Sequence, residues 1–414
     1  MYKRMPSRDH SAVVDVEESS ALLQNSADVE TTNPSWWLSF PHVIVATISS
    51  FLFGYHLGAT TKSLAGMLIG RFLVGTGMGL GPPVAALYVT EVSPASVRGT
   101  YGSFIQIATC LGLMAALLIG IPVKEIAGWW RICFWISTIP AGFLAFAMMF
   151  CAESPHWLYK QGRSADAEAE FERLLGGSPV KYAMVELSKL DRGDEADTVK
   201  LSELLYGRHF RVVYIGATLF ALQQLSGINA VFYFSSSVFK SAGVPSDIAN
   251  VLIGVANLSG SIIAMLLMDK LGRKVLLLWS FFGMTISMVL QVAAANTYVS
   301  GSGSLYLWLS VGGMLMFVLT FALGAGPVPG LLLPEIFPSR IRAKAMAFCM
   351  SVHWVINFFV GLLFLRLLEQ LGPQLLYSIF ASVCMTAVIF VKKNVMETKG
   401  KSLQEIEIAL LPQG

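Results

Sequence analysis

Apolar residues in this chain occur in long continuous runs that are separated by short polar connections. A helix of about 20 residues crosses the hydrocarbon core of a bilayer, and only helices or closed barrels satisfy their backbone hydrogen bonds there. Ten runs are long enough, so each of them predicts a transmembrane α-helix. The ten predicted spans cover approximately residues 40–58, 66–89, 100–122, 130–150, 209–236, 248–268, 275–296, 305–330, 345–367 and 374–392.

Polar segments divide these spans into two groups. Residues 1–35 are polar and poor in aromatic side chains, which predicts a disordered tail. Residues 36–158 contain four predicted spans, and residues 209–393 contain six. Between the groups, residues 159–208 form a polar loop with short amphipathic helices, and residues 394–414 form a second polar tail. The predicted fold class is an all-α polytopic membrane protein.

Lysine and arginine residues outside the spans predict how the chain is oriented. Basic residues accumulate in the loops that stay on the cytosolic side of a membrane. The middle loop and the segments after the sixth, eighth and tenth spans are rich in them, whereas the opposite loops hold little beyond Lys62, Lys124 and Lys240. Both termini and the middle loop are therefore predicted to face the cytosol.

The composition agrees with a membrane protein and argues against several functional classes. The 414 residues are 55% hydrophobic and 13% charged, with a formal net charge of +3, whereas about 25% of the residues in a soluble domain are charged. The five cysteines lie in or beside apolar runs without metal-ligand spacing, so we interpret them as packing residues. The sequence contains no phosphate-binding loop, nucleophile motif or zinc motif. We therefore expect no enzyme activity, cofactor, metal site or nucleic-acid partner.

The fifth predicted span contains a concentration of amide side chains. It carries Gln223, Gln224, Asn229 and Tyr233, and helical periodicity places Gln223, Asn229 and Tyr233 on one broad face. Polar residues inside a membrane usually face a bundle interior or a cavity. Amides offer donors and acceptors without net charge, which suits a neutral polyol such as a sugar. The alternative is that these amides only join neighbouring helices.

Two motifs recur along the chain with the same spacing. The segment Glu91–Arg98 resembles Glu335–Arg342, Glu153 corresponds to Glu397, and each pair is separated by 244 residues. This repetition indicates two duplicated halves. A third motif, Asp269–Lys274, has its expected mate inside the polar N-terminal tail. The first half is short by about 74 residues, roughly two spans with their loops.

Together these motifs resemble the sugar porter family of the major facilitator superfamily, and within it the plant plastidic-glucose-transporter-like group. Gln223–Tyr233 resembles the family's seventh helix, Phe53–Gly58 the end of its first helix and Gly70–Gly75 its fourth. The second and third helices of the family have no counterpart here. The resemblance implies a major facilitator fold of two pseudo-repeated helical halves, with about 4 + 6 spans instead of 6 + 6.

The resemblance also assigns roles to individual residues. Those that it implies contact a hexose are Gln106, Gln223, Gln224, Asn229, Tyr233, Asn257, Trp354 and Asn357. Those that it implies open and close the cytosolic side are Arg71, Glu91, Arg98, Glu153, Asp269, Arg273, Glu335 and Arg342. Two positions depart from the family. Relatives often have tryptophan where this chain has Gly330, and proton-coupled relatives have aspartate where this chain has His56. The missing carboxylate favours facilitated diffusion over proton symport, although histidine can titrate near neutral pH.

We expect a glucose-type hexose transporter that works by alternating access in a lipid bilayer. Three alternatives stay open: a shortened isoform that does not transport or that regulates the full-length protein, a proton-coupled symporter, and a sugar sensor that does not transport. The resemblance implies an organelle membrane, either the plastid envelope or an endomembrane such as the Golgi. Residues 1–35 are too acidic for a typical transit peptide. Oligomerisation is compatible with the sequence, but no feature supports it.

Overall fold

In the computed structural model, residues 98–123, 128–177, 209–232, 245–299, 303–338 and 341–399 are described without interruption. Scattered positions at 68–93, 125–126 and 180–188 and residues 207, 239 and 406 are described as well. Outside these residues lie the N-terminal tail, the first predicted span and three predicted functional residues, His56, Arg71 and Tyr233. For Arg98 and Asp269 the backbone is described but the side chain is not. The expectations about these residues stay predictions.

Two long helices and two short ones make up the continuously described part of the first half. They are α1 Arg98–Val123, α2 Trp129–Met148, α3 Pro155–Lys160 and α4 Ser164–Leu175. The side chain of Ser154 caps α3 by accepting a hydrogen bond from the N–H of Trp157 at 3.1 Å. Pro155 fits the first turn of α3 because no intrahelical donor is needed there. The described positions from 68 to 92 are also helical.

The second half is a bundle of longer helices. Its elements are α5 Phe210–Leu225, α6 Ser246–Leu271, α7 Arg273–Val299, α8 Gly303–Thr320, a π-helical turn Phe321–Ala325, α9 Pro327–Ile336 and α10 Arg342–Asn394. α10 contains two spans, because Gly372 has a left-handed φ of 74° and Pro373 follows it. Across the described residues, six helical stretches are long and apolar enough to cross a membrane.

The π-helical turn between α8 and α9 lies where prolines and glycines in the sequence predict a broken helix. The N–H of Gly326 bonds the carbonyl of Phe321 at 2.9 Å, one residue beyond the α-helical register. Ser280 of α7 holds the turn from the side, since its hydroxyl donates to the Thr320 carbonyl at 2.7 Å and accepts from the Ala325 N–H at 2.8 Å. Gly324 allows this approach, because a Cβ there would clash with the carbonyl oxygen of Leu276.

Packing is much denser in the second half than in the described part of the first half. The large hydrophobic core runs from Val212 to Ile406 and draws all its buried members from the second half. The first half contributes a small cluster around Val89 and Tyr101. In the most apolar window of the α5 span 67% of the residues are buried, against 11% in that of α1. Among the described residues, the first-half helices therefore have few neighbours.

One contact between the halves is well defined. α1 packs against α6, where Met114 and Leu117 of α1 approach Gly254, at 3.7 and 3.6 Å from the position that a Cβ would occupy. This α1–α6 contact places polar residues of both helices against one another, which brings two of the predicted site residues together.

Candidate substrate site and cytosolic charge network

The amide cluster, which consists of Gln223, Gln224 and Asn229, is built around a turn in the fifth span. α5 ends at Leu225, and the chain turns through Ser226 and Gly227 before helical structure resumes at Ile228. Gly227 has a φ of 89° and lies against Phe380, so a Cβ would come within 2.8 Å of that ring. The turn interrupts the regular helix between Gln223 and Asn229. Asn229 donates a hydrogen bond from Nδ2 to Oε1 of Gln224.

Gln223 faces the π-helical turn and leaves one polar atom unsatisfied. The side chain is 4% exposed, and its Nε2 donates to the carbonyls of Ala325 at 2.5 Å and Gly326 at 3.4 Å. Its Oε1 is buried without a hydrogen-bond donor among the described residues. A buried unsatisfied acceptor costs about 1–3 kcal/mol. A hydroxyl donor placed at this oxygen would remove that cost.

His353 connects the amide cluster to α10, and sequence reasoning missed it. Nε2 of Gln224 lies 3.0 Å from Nδ1 of His353. The imidazole also meets the rings of Phe220 and Trp354, with centroids 5.1 and 5.2 Å apart. The sequence does mark this residue, because His353 is a histidine inside an apolar span and directly precedes Trp354, a predicted sugar-binding residue. Intramembrane ionisable residues are functional candidates by default.

A second group of polar residues lies at the α1–α6 contact, and we call it the thiol cluster. Its members are Gln106 and Cys110 of α1 with Asn257 and Ser261 of α6. The Cys110 thiol lies 3.3 Å from Nδ2 of Asn257, 3.7 Å from Nε2 of Gln106 and 3.2 Å from the Ser261 hydroxyl. The structure therefore brings Gln106 and Asn257 together across the two halves. Cys110 is a hydrogen-bonding partner here as well as a packing residue.

The two predicted site residues on α10 lie beside each other. Trp354 and Asn357 line an open groove together with Phe358, Gly361 and Leu362. Asn357 is buried and Trp354 is partly buried. Through His353, this groove adjoins the amide cluster.

The charged residues of the second half form a connected network beside the start of α7. Arg273 pairs with Glu335 at 3.1 Å between Nη2 and Oε1, and the hydroxyl of Thr398 donates to the other oxygen of Glu335 at 2.6 Å. The carboxylate of Glu397 accepts from the N–H groups of Arg273 at 2.8 Å and Lys274 at 3.0 Å. This position caps the positive end of the α7 dipole. Arg342 contacts a backbone carbonyl, that of Phe337, at 3.3 Å.

The first half repeats part of this network at positions 244 residues earlier. The Ser154 hydroxyl donates to Oε2 of Glu91, as Thr398 does to Glu335. Glu153 accepts from the N–H of Ser154 at 3.2 Å, as Glu397 does from that of Thr398. Among the described residues, no helix N-terminus and no arginine contacts Glu153 or Glu91. Their second-half counterparts Glu397 and Glu335, by contrast, contact the start of α7 and Arg273. Burial raises the pKa of Glu91 above its ordinary value, although the Ser154 hydrogen bond and the Lys160 charge oppose the shift.

Comparisons with known proteins agree with the motifs and the fold. A family model described as "Sugar (and other) transporter" matches residues 41–410. The chain is 65% identical to probable plastidic glucose transporter 2 of Arabidopsis thaliana, over 99% of this chain and 97% of that protein. It is 32% identical to the D-xylose-proton symporter of Escherichia coli strain K12, over 84% of this chain and 72% of that protein. The solved structure of the proton:xylose symporter XylE bound to 6-bromo-6-deoxy-D-glucose matches with a TM-score of 0.72 and 30% identity, covering 90% of this chain and 82% of that one.

The alignment with the Arabidopsis relative contains gaps on the side of this chain. It extends over 482 positions, whereas this chain has 414 residues, so at least 68 positions of the relative face a gap. The size agrees with the shortfall of the first half that the internal repeat indicates.

Proposed function

Because this chain belongs to the sugar transporter family of the major facilitator superfamily, we propose that it binds a hexose at the amide cluster, and that the same fold carries the hexose across a membrane by alternating access when both halves are complete. The relatives named plastidic glucose transporters support a glucose-type substrate. The solved XylE complex with a deoxyglucose derivative supports a pyranose site in this fold. The process needs no covalent chemistry.

The buried Oε1 of Gln223 is the observation that carries the proposed site. It is an acceptor without a donor among the described residues, beside donors and acceptors that are all uncharged. A sugar hydroxyl both donates and accepts, so it fits such a site better than a cation, which prefers carboxylates, or an anion, which prefers arginine and lysine. Trp354, one residue from His353, adds an aromatic face for the apolar side of the sugar ring.

Two contacts support alternating access. The thiol cluster joins α1 of the first half to α6 of the second through hydrogen bonds to one thiol, which are weak and separable. The pairs of Arg273 with Glu335 and of Glu397 with the start of α7 lock helices of the second half together at one end. We infer that such pairs close the cytosolic side in one state and separate in the other.

The site is tested by sugar binding to purified protein. We expect Gln223→Ala to raise the dissociation constant for D-glucose by about five- to twelvefold, since losing one hydrogen bond of about 1–1.5 kcal/mol predicts that range. Gln291→Ala is the matched control, because Gln291 is equally buried and its Nε2 only joins a neighbouring helix, at the Ser310 carbonyl 2.6 Å away. Equal dissociation constants for wild type and Gln223→Ala would show that Gln223 only joins helices too.

We propose that transport is facilitated diffusion, since His56 stands where proton-coupled relatives have a carboxylate. The rival is proton symport, the activity that names the E. coli relative. Proteoliposomes should contain a restored version of this chain, in which the Arabidopsis residues that face the gap are inserted. We expect an inward proton gradient to leave the final internal glucose level equal to the external one. Accumulation above that level, abolished by a protonophore, would establish symport.

A second candidate function follows from the gap: a short form that binds sugar without transporting it. The gap in the alignment and the thin packing of α1 favour this candidate. It predicts that this chain and its restored version bind D-glucose alike but differ in uptake.

We also propose that the protein lies in an organelle membrane with both termini in the cytosol. The names of the plant relatives and the basic middle loop support this placement. A fluorescent fusion that co-purifies with plasma membrane rather than with plastid envelope or Golgi would contradict it.

A further inference from the structure

We propose that Ser280 of α7 is a positioning residue for sugar binding. Its hydroxyl is inserted into the backbone of the π-helical turn Phe321–Ala325, and the turn that it holds open orients the side chain of Gln223. This inference rests on the proposed function, because it takes the amide cluster as the sugar site. It adds to that site a residue that does not touch the sugar.

The Ser280 hydroxyl lies between two backbone groups of the turn. It donates to the Thr320 carbonyl at 2.7 Å and accepts from the Ala325 N–H at 2.8 Å. These two groups are five residues apart, which is the spacing that a π-helical bond joins. The hydroxyl therefore replaces a direct bond between them, and an inserted side chain is a known cause of kinks in helices. The hydroxyl of Thr320 does not take this place, since it bonds the carbonyls of Met316 and Phe317.

The contact between α7 and the turn brings the hydroxyl close to the backbone. Glycines lie on both surfaces of this contact. A Cβ on Gly324 would lie 2.4 Å from the carbonyl oxygen of Leu276, and a Cβ on Gly283 would lie 2.6 Å from the side chain of Thr320. Ser280 is only 1% exposed between them. The insertion is therefore part of a closely packed helix contact and not a chance approach of a surface side chain.

Ala325 connects Ser280 to the amide cluster. Its N–H bonds Ser280, and its carbonyl accepts from Nε2 of Gln223 at 2.5 Å. In a regular helix that carbonyl would bond the N–H four residues later, but Pro329 has no N–H. The carbonyl is therefore available to Gln223. Two different helices, α7 and α5, thus hold one buried residue of the turn.

The turn in this way sets the direction of the oxygen that we assign to the sugar. The side-chain amide of Gln223 is planar, so holding its Nε2 at the carbonyls of Ala325 and Gly326 also fixes where Oε1 points. Oε1 is the buried acceptor that has no donor among the described residues. Without the Ser280 hydroxyl, the Ala325 N–H loses its partner or moves to bond the Thr320 carbonyl directly. Either change loosens the hold on Nε2 and lets Oε1 turn away from a sugar hydroxyl.

The test is D-glucose binding to the purified 414-residue chain and its variants. We expect Ser280→Ala to raise the dissociation constant by about threefold or more, but by less than Gln223→Ala does, because it weakens the hydrogen bond of Gln223 without removing the amide. Ser287→Ala is the matched control. Ser287 lies on the same helix and is 0% exposed, but its hydroxyl donates to the Gly283 carbonyl of its own helix at 2.8 Å. This control should bind D-glucose as wild type does.

A double-mutant cycle separates positioning from a general loss of packing. If Ser280 acts through Gln223, Ser280→Ala weakens binding in wild type and adds nothing to Gln223→Ala. Ser280→Cys is a second variant, because a thiol fills a similar space but is a weaker donor and acceptor. It should raise the dissociation constant as well, and it takes the place of Ser280→Ala in the cycle if the alanine variant does not elute as a single species in detergent.

The inference is wrong if Ser280→Ala and Ser280→Cys bind D-glucose as tightly as wild type while Gln223→Ala binds it weakly, and the proposed sugar site then survives. It is also wrong if Ser280→Ala weakens binding by the same factor in wild type and in Gln223→Ala. Equal weakening by Ser287→Ala would likewise overturn it, because any buried hydroxyl of α7 would then have the same effect. Unchanged binding by Gln223→Ala would instead refute the proposed site, and this inference with it.

Discussion

At the residue scale, two buried glutamines show how alike side chains come to different roles. Gln291 uses its amide on a neighbouring helix, whereas Gln223 bonds two carbonyls and keeps a buried acceptor unsatisfied among the described residues. The sequence alone cannot separate them, since both lie in apolar runs. Only the π-helical turn, which brings the Ala325 carbonyl to Gln223, makes the distinction.

Two carboxylates related by the repeat should respond in opposite ways when neutralised. Glu335 pairs with Arg273, so we expect Glu335→Gln to destabilise the protein by about 1–3 kcal/mol at neutral pH. Burial raises the pKa of Glu91, so the folded state favours its protonated form. Its contribution to stability is greatest below the ordinary carboxyl pKa and is lost as pH rises through the raised value. We therefore expect Glu91→Gln to leave stability unchanged or raise it at neutral pH.

Thermal unfolding of the purified variants measures both effects. The difference between Glu91→Gln and wild type should vanish when the pH falls below the ordinary pKa of a carboxyl group. A loss of stability in Glu91→Gln at neutral pH, as large as that in Glu335→Gln, would mean that attraction to a cation such as Lys160 outweighs the cost of burying Glu91.

At the scale of elements, apolar length predicts helices well and local turns poorly. The described long helices lie where the apolar runs place them, and the glycines and prolines from Gly324 to Gly330 mark a real irregularity. The turn at Ser226–Gly227 is not visible in the sequence, because a Ser-Gly pair is common inside membrane helices. It arises from tertiary packing, where the Phe380 ring occupies the space that a Cβ would need. This turn lies between Gln223 and Asn229 and interrupts the regular helical register from which their common face was predicted.

Two glycines near the π-helical turn should differ sharply in their tolerance of a side chain. A Cβ on Gly324 would clash with the Leu276 carbonyl, so we expect Gly324→Ala to cost about 1–3 kcal/mol. Nothing lies within 4 Å of a Cβ on Gly330, so Gly330→Ala should be neutral or stabilising by up to about 1 kcal/mol. Thermal unfolding in detergent compares them. Similar stability of the two variants would contradict the packing of α7 against the turn.

At the scale of the whole molecule, the two halves differ in what they can do alone. The second half has a continuous core and holds the amide cluster, whereas the described first half has small clusters and the sparsely covered α1. The internal repeat already indicates this difference in the sequence, because the spacing of the matched motifs shows that the first half is shorter than the second and where its missing helices would lie. What the sequence could not supply is how the halves meet, since the α1–α6 contact depends on which helix faces pack together.

The measurement that tests this account most directly is glucose uptake in a host that lacks its own hexose uptake. The host expresses either this chain or its restored version, and uptake is divided by the amount of protein in the membrane. Polar groups left facing lipid cost on the order of several kcal/mol each, and alternating access needs two complete halves. We therefore predict at least tenfold greater uptake by the restored version, and loss of that uptake when it carries Gln223→Ala. Equal uptake per molecule by the two chains would contradict the account, because the missing helices would then be dispensable.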